Sequence, residues 1–276
     1  MTVAESGWCL REAKQALASG PSPGSRADST QGIPDPVTRS STSLGTSAAV
    51  VVALVAALQQ LTDEPGPPVP GVLARAAHDV ETLDLGRQSG VQDQVAAAFG
   101  GANLVTISPY PSFDVVPVEV RPDVLEALAR RVVTVYLGSS HDSSAVHDEV
   151  IADLVGDDTK AEQLLAPLRA CAKSAAAALA AGDVELYAQS MTANTEAQAA
   201  LHPSLINPVA RQVIDIAAQC GASGWKVNGA GGAGGTVTVV GPEDPDRFTS
   251  ALAAASSVSV LPLRPTAVGA QVVDRD

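Results

Sequence analysis

Apolar and polar positions alternate in recognisable helical and strand periods only from Ser43 onward. The run Ser47-Ala-Ala-Val-Val-Val-Ala-Leu-Val-Ala-Ala-Leu58 is apolar all round, which predicts a buried helix starting at Thr46. Gly66-Pro67-Pro68 marks a turn, and Val72 to Leu85 predicts a second helix that stops near Gly86. Leu104 to Ile107, Val115 to Val120 and Val132 to Leu137 read as strands, with a short helix over Asp123 to Ala129. The second half is mostly helical: Ser144 to Leu154, Ala161 to Ala181, Val184 to Leu201, and a helix opened by Asn207-Pro208 that runs to Cys220. Trp225 to Val227, Thr236 to Val240 and Ser257 to Leu263 read as strands, with a helix over Asp244 to Ala254. Helices and strands that do not strictly alternate predict an α+β fold rather than a doubly wound sheet. Gly20 to Thr42, by contrast, is rich in Ser, Pro, Gly and Arg and reads as loop or disorder.

Composition narrows this picture. A chain of 276 residues can build one large domain or two lobes around a cleft. Its residues are 46% hydrophobic and 3% aromatic, so Ala, Val and Leu must fill the core. The net charge of −13, with 17 scattered basic residues, argues against nucleic acid as a partner. Cys9, Cys171 and Cys220 are too sparse for a disulfide framework or a zinc site and predict thiols in a reducing cytoplasm. The most apolar run, Ala48 to Leu58, is too short for a bilayer, and the N-terminus lacks a signal-peptide pattern, so no membrane partner is expected.

Three constellations carry candidate chemistry. Ser43-Leu44-Gly45-Thr46-Ser47-Ala48 leads straight into a helix. Its small residues allow close backbone approach, and the helix start offers N–H groups and hydroxyls to a phosphate or Mg²⁺. The plain alternative is an N-cap by Thr46 or Ser47. No Walker lysine is present. Next, Glu81 precedes Asp93 across a segment broken by Gly86 and Gly90; two carboxylates brought together could hold a metal and accept a proton. The alternative is a solvated Glu81 and an N-capping Asp93. Third, Gly229-Ala-Gly231-Gly232-Ala-Gly234-Gly235 contains G-x-G-x-x-G, but a strand follows it. A dinucleotide site requires a helix there, so a hairpin with a ligand-packing or purely structural loop fits better.

In this order the three signals resemble the GHMP kinases (galactokinase, homoserine, mevalonate and phosphomevalonate kinases). The family's phosphate loop, roughly P-P-x-S-G-L-G-S-S-A-A, is matched in its second half by Ser43-Leu-Gly-Thr-Ser-Ala-Ala49. Glu81, Gly86, Gly90, Asp93 and Gln94 fall on the galactokinase-like Glu and G-x-x-D-Q pattern. Lys226-Val-Asn-Gly-Ala-Gly-Gly-Ala-Gly-Gly235 is similar to the third motif. Gln92 to Asn103, Val135-Tyr-Leu-Gly138 and His141-Asp-Ser-Ser144 resemble the heptose 7-phosphate kinase branch. The resemblance implies a two-lobed fold with an incomplete N-terminal lobe: residues 1–42 outside the family pattern, 43–125 the rest of the ATP-binding lobe, and 126–276 the C-terminal lobe. It implies ATP and Mg²⁺ as cofactors and a small-molecule sugar or sugar phosphate as substrate. Asp93 would be the catalytic base, and Ser47 and Glu81 the metal ligands. Ser43 to Ala48 with Gly229, Gly231 and Gly232 would bind nucleotide, and Gln92, His141, Ser143 and Ser144 would line the sugar pocket. Homo-oligomers are compatible with it.

The resemblance also has departures. The family's opening strand motif has no counterpart, Arg39-Ser-Ser-Thr-Ser43 stands where P-P-G-S-G is usual, and Ser43 replaces a loop glycine. Residues 1–42 are therefore expected to be non-family sequence, from a misplaced start or an upstream frameshift. A degenerate relative that binds without turnover is the alternative to an active kinase.

Overall fold

The structure is a computed structural model that describes residues 2–5, 44–62, 66–87, 89–107, 109–138, 150–152, 154–229, 234–242, 246–253 and 258–273. Its first unit is a three-stranded sheet of order β1-β2-β3, with β1 Thr2–Glu5, β2 Ala102–Ile107 and β3 Phe113–Val118. β1 runs parallel to β2, placing Thr2 beside Asn103, and β3 returns antiparallel. Three helices cover one face: α1 Thr46–Gln59, α2 Pro70–Asp79 and α3 Gln92–Phe99. Val52, Ala56, Leu73, Ala77, Val95 and Val105 form the core between them.

β1 lies ahead of Gly20 to Thr42, the stretch that reads as loop or disorder and falls outside the described residues, and no strand was expected there. Four residues carry too little periodicity to announce a strand, and this one exists through backbone pairing to β2. α1 brings a correction. Only Ala48, Val52 and Ala56 are fully buried along it, while Val50, Leu54 and Leu58 are exposed. An all-apolar helix has no polar face to show which side packs, and here one side faces away from α2 and α3.

The second unit is an antiparallel sheet of order β5-β6-β4-β7, with β4 Val132–Tyr136, β5 Gly224–Val227, β6 Thr236–Val240 and β7 Ser259–Leu261. α4 Pro122–Arg131 runs directly into β4. The long antiparallel pair α5 Asp158–Ala181 and α6 Val184–Leu201 follows, with Asp157 and Asp183 capping their N-termini. α7 Pro208–Gln219 and α8 Asp246–Ala253 complete it. Val135, Val237 and Val239 pack with Val213 of α7 and Phe248 and Leu252 of α8. Tyr187 and Met191 of α6 join Leu179 of α5 and Leu128 of α4 in a separate core. α5 is long and apolar enough to cross a membrane by length and composition. Its apolar side is spent inside the fold, where Ala161, Leu165, Ala178 and Leu179 are buried.

The chain closes back on the first unit. Gly101 N–H donates to Thr266 O and Ala270 N–H to Ala98 O, so the segment after β7 lies against the end of α3.

Candidate active site

α1 starts without a side-chain cap. Its N-cap is Gly45, with φ 68° in the left-handed region, so neither Thr46 nor Ser47 is the capping residue. Leu44 is exposed, Gly45, Thr46 and Ser47 are half-buried, and Ala48 is buried. The positive end of the α1 dipole is thus bordered by small residues and hydroxyls. Ser43 lies outside the described residues.

α2 does not end as a regular helix. Val80–Asp84 forms a π turn, closed by Leu85 N–H on Val80 O at 3.0 Å. Such turns reset the direction of the side chains they carry. This one carries Glu81, which is 3% exposed. Glu81 Oε2 accepts from Ser89 Oγ at 3.2 Å and from Gln94 Nε2. Gln94 is fully buried, and its Oε1 has no partner. Ser89 is itself anchored: its carbonyl accepts from Tyr110 OH at 3.1 Å, and Tyr110 OH meets His78 Nε2 at 2.8 Å. His78 is buried edge-on to the Tyr110 ring, one helical turn before Glu81.

Asp93 stands in the first turn of α3, which is capped by Val91, so it is not an N-cap. It reaches solvent, unlike Glu81. The protein around it nevertheless raises its carboxyl above the usual aspartate value, chiefly by removing water from one side and then through the charge of Glu81; contact with solvent limits that rise. A Cβ built on Gly45 would lie 3.0 Å from both Asp93 Cβ and Cγ. The first two constellations therefore form one site: a helix start with no N-cap side-chain bond, an exposed carboxylate, and a buried carboxylate behind it. Among the described residues neither carboxylate has an ion-pair partner. Gln92 folds its amide over Gly90 on the same segment.

The strands that flank the glycine motif, β5 and β6, pair antiparallel, as expected for a hairpin rather than a strand–helix dinucleotide site. Gly229 is described, at φ 63°; Gly231 and Gly232 lie outside the described residues, as do His141, Ser143 and Ser144. Asn228 holds the stem, with Nδ2 donating to Thr236 Oγ1 at 2.9 Å and Thr238 Oγ1 at 2.8 Å. Beside it, Lys226 Nζ donates to Val227 O, and burial holds its ammonium down to about 8 although the residue keeps some exposure.

Sequence reasoning gave no role to Ser89, His78 or Tyr110, and quoted Gln94 only as part of a motif. Nothing local marks them, because their partners are distant in the chain. The one available signal was Gln94 beside Asp93 at the start of an amphipathic helix.

Comparison with known proteins places these features in a family. The chain matches the GHMP kinases N terminal domain over residues 9–101 and the GHMP kinases C terminal domain over residues 175–258. The first match begins upstream of Ser43, inside the segment expected to be non-family. A D-glycero-alpha-D-manno-heptose 7-phosphate kinase of Campylobacter jejuni is 25% identical over 195 residues, covering 71% of this chain and 56% of that protein. A crystal structure of a D-glycero-D-manno-heptose 1-phosphate kinase from Bacteroides thetaiotaomicron superposes with a TM-score of 0.60 at 23% identity, over 83% of this chain and 63% of the other. Lactococcus lactis galactokinase complexed with galactose gives a TM-score of 0.63 at 17% identity, over 83% and 67%. The chain thus spans little more than half the length of the heptose kinase it matches.

Proposed function

This chain belongs to the GHMP kinase family, and from that premise we propose that it is an ATP-dependent phosphotransferase acting on a hydroxyl of a sugar or sugar phosphate of the heptose 7-phosphate kind. The observation that carries the reading is the placement of Asp93 against Gly45. It sets a solvent-reaching carboxylate beside an uncapped helix start.

Phosphoryl transfer needs positioning and charge neutralisation more than covalent help. The N–H groups at the start of α1, with Thr46 and Ser47, bind the triphosphate. Asp93 orients the acceptor hydroxyl and takes its proton as the oxygen forms a bond to the γ-phosphorus and the bond to ADP breaks. The raised Asp93 carboxyl makes it a better proton acceptor than an ordinary aspartate. Glu81, buried and without a cationic partner among the described residues, and Ser47 would hold Mg²⁺, whose charge would offset that of the phosphates. Ser89 and Gln94 fix the Glu81 carboxylate through hydrogen bonds. The family resemblance assigns Gln92, His141, Ser143 and Ser144 to the sugar and Gly229, Gly231 and Gly232 to the nucleotide. The free thiols Cys171 and Cys220 suit a cytoplasmic protein.

A second reading is a relative that binds nucleotide or metabolite without turnover; Ser43 in place of a phosphate-loop glycine favours it. ADP release from Mg·ATP across heptose phosphates, hexoses and cyclitols separates the two. The kinase reading expects sugar-dependent ADP that Asp93→Asn abolishes. Nucleotide binding without ADP from any acceptor leaves the second reading.

A further inference from the structure

α3 is 8 residues long, and a helix that short is marginal without contacts from outside it. What meets its two ends therefore decides where its side chains stand. At its start, Asp93 lies against Gly45. At its other end lies the segment that follows β7. β7 pairs with β4 in the second sheet, so this segment reaches α3 from the other unit.

The contact is backbone on backbone. Ala98 O belongs to the last turn of α3, whose carbonyls have no partner within the helix, and it accepts from Ala270 N–H at 3.3 Å. Gly101 N–H, just past the helix, donates to Thr266 O at 3.1 Å. Between these two bonds the chain crosses itself at a pair of glycines. A Cβ on Gly269 would overlap Ala98 O and lie 2.6 Å from Phe99 C, and a Cβ on Gly100 would overlap Gly269 N. Those atoms are all backbone, so no side-chain movement makes room. Thr266 Oγ1 bends the segment by accepting from Val268 N–H at 3.2 Å. Ala270 then packs on the core of the first unit, while Thr266, Ala267 and Val268 stay exposed. The segment builds no core of its own; it fixes the end of α3 in place.

We propose that Thr266 to Ala270 is a clasp that positions α3, and through it Asp93, against the start of α1, with Gly269 as its positioning residue. Its catalytic meaning rests on the kinase reading; its geometry does not. A shift of about 1 Å in a catalytic group can cost roughly a hundredfold in rate. The test uses the full chain with Gly269→Ala. Gly269 is not one of the positive-φ glycines, so alanine there strains only the crossing. Val272→Ala, at an exposed residue beyond the clasp, is the control. Amide hydrogen exchange, kcat and KM for Mg·ATP are read on each. Gly269→Ala is expected to speed exchange at Gly101 and also at Val95, whose N–H donates to Val91 O at the start of α3. Its kcat should fall roughly tenfold or more while KM for Mg·ATP stays within about twofold, because the start of α1 holds the nucleotide. Val272→Ala should match the wild type. If Gly269→Ala does not fold, Thr266→Val, which removes only the bend, is judged by the same outcomes, with kcat down about threefold. Exchange that rises at Gly101 but not at Val95 overturns the proposal, since the clasp would then end at the turn it touches. An unchanged kcat, or a KM that rises as far as kcat falls, overturns it as well. A wild type without turnover defeats the kinase reading instead, and exchange at Val95 alone then decides the clasp.

Discussion

Gly45 and Asp93 touch: a Cβ on the glycine would stand 3.0 Å from two carbons of the aspartate side chain. The start of one helix and the first turn of another, far apart in sequence, share that contact. The expected effect of Gly45→Ala follows from it. The substitution combines an unfavourable φ of 68° with a push on Asp93, and should cost about 1–3 kcal/mol. Thermal melting checks the stability loss. Nucleotide titration checks the site, where affinity should fall further than in a surface control.

Asp93→Asn should separate stability from turnover. It removes a carboxylate whose charged form the fold disfavours, so the melting temperature should hold or rise slightly; exposure to solvent keeps the gain small. The sign follows from linkage: a raised folded pKa means that ionising Asp93 costs stability as pH climbs through that value. Activity moves the other way, since the base must be ionised, and should rise over the same interval above the ordinary aspartate value of 3.8. A pH–rate profile beside pH-dependent melts of both proteins tests the opposition.

The support beneath Glu81 should be measurable at Tyr110. Tyr110→Phe removes the hydroxyl that meets His78 and Ser89 O, at an expected cost of about 1 kcal/mol, or roughly 2–4 °C in melting temperature. Because Ser89 also donates to Glu81, the variant should weaken Mg²⁺-dependent nucleotide binding more than binding without the metal. Calorimetry with and without Mg²⁺ reads the difference.

Arg131 joins the end of α4 to the second sheet. Its guanidinium reaches Gly241 O at 2.9 Å, Ser223 Oγ at 2.6 Å and Glu185 at 2.8 Å. Arg131→Met should destabilise by about 1–2 kcal/mol, chiefly by leaving the buried Gly241 carbonyl without its guanidinium donor. Glu185 is held below its ordinary value by Ser223 first and Arg131 after it. A lowered carboxyl adds stability above its unfolded value and loses it as pH falls below 4.5, so the variant should show a flatter acid limb in pH-dependent melts.

Elements with a strong local period were legible in the sequence. Val184–Leu201 and Thr236–Val240 form with the expected bounds, and the two strand runs that flank the glycine motif pair antiparallel. α1 was legible as a helix but not in its burial, because Val50 and Leu54 are as apolar as Val52 and only tertiary packing separates them. The four-residue β1 and the π turn at Val80–Asp84 exist through partners the local pattern does not contain. Asp93 and Glu81 stood out by type and spacing. Ser89 and Gln94 are ordinary polar residues whose roles depend on what the fold brings to them.

The most direct measurement is calorimetry of Mg·ATP with the wild type, Asp93→Ala and Ser47→Ala, each shown to be folded. If Ser47 and the start of α1 bind phosphate while Asp93 serves the acceptor, wild type and Asp93→Ala bind alike and Ser47→Ala binds more weakly. A folded wild type that binds no nucleotide, or an Asp93→Ala that loses binding while Ser47→Ala keeps it, contradicts that account.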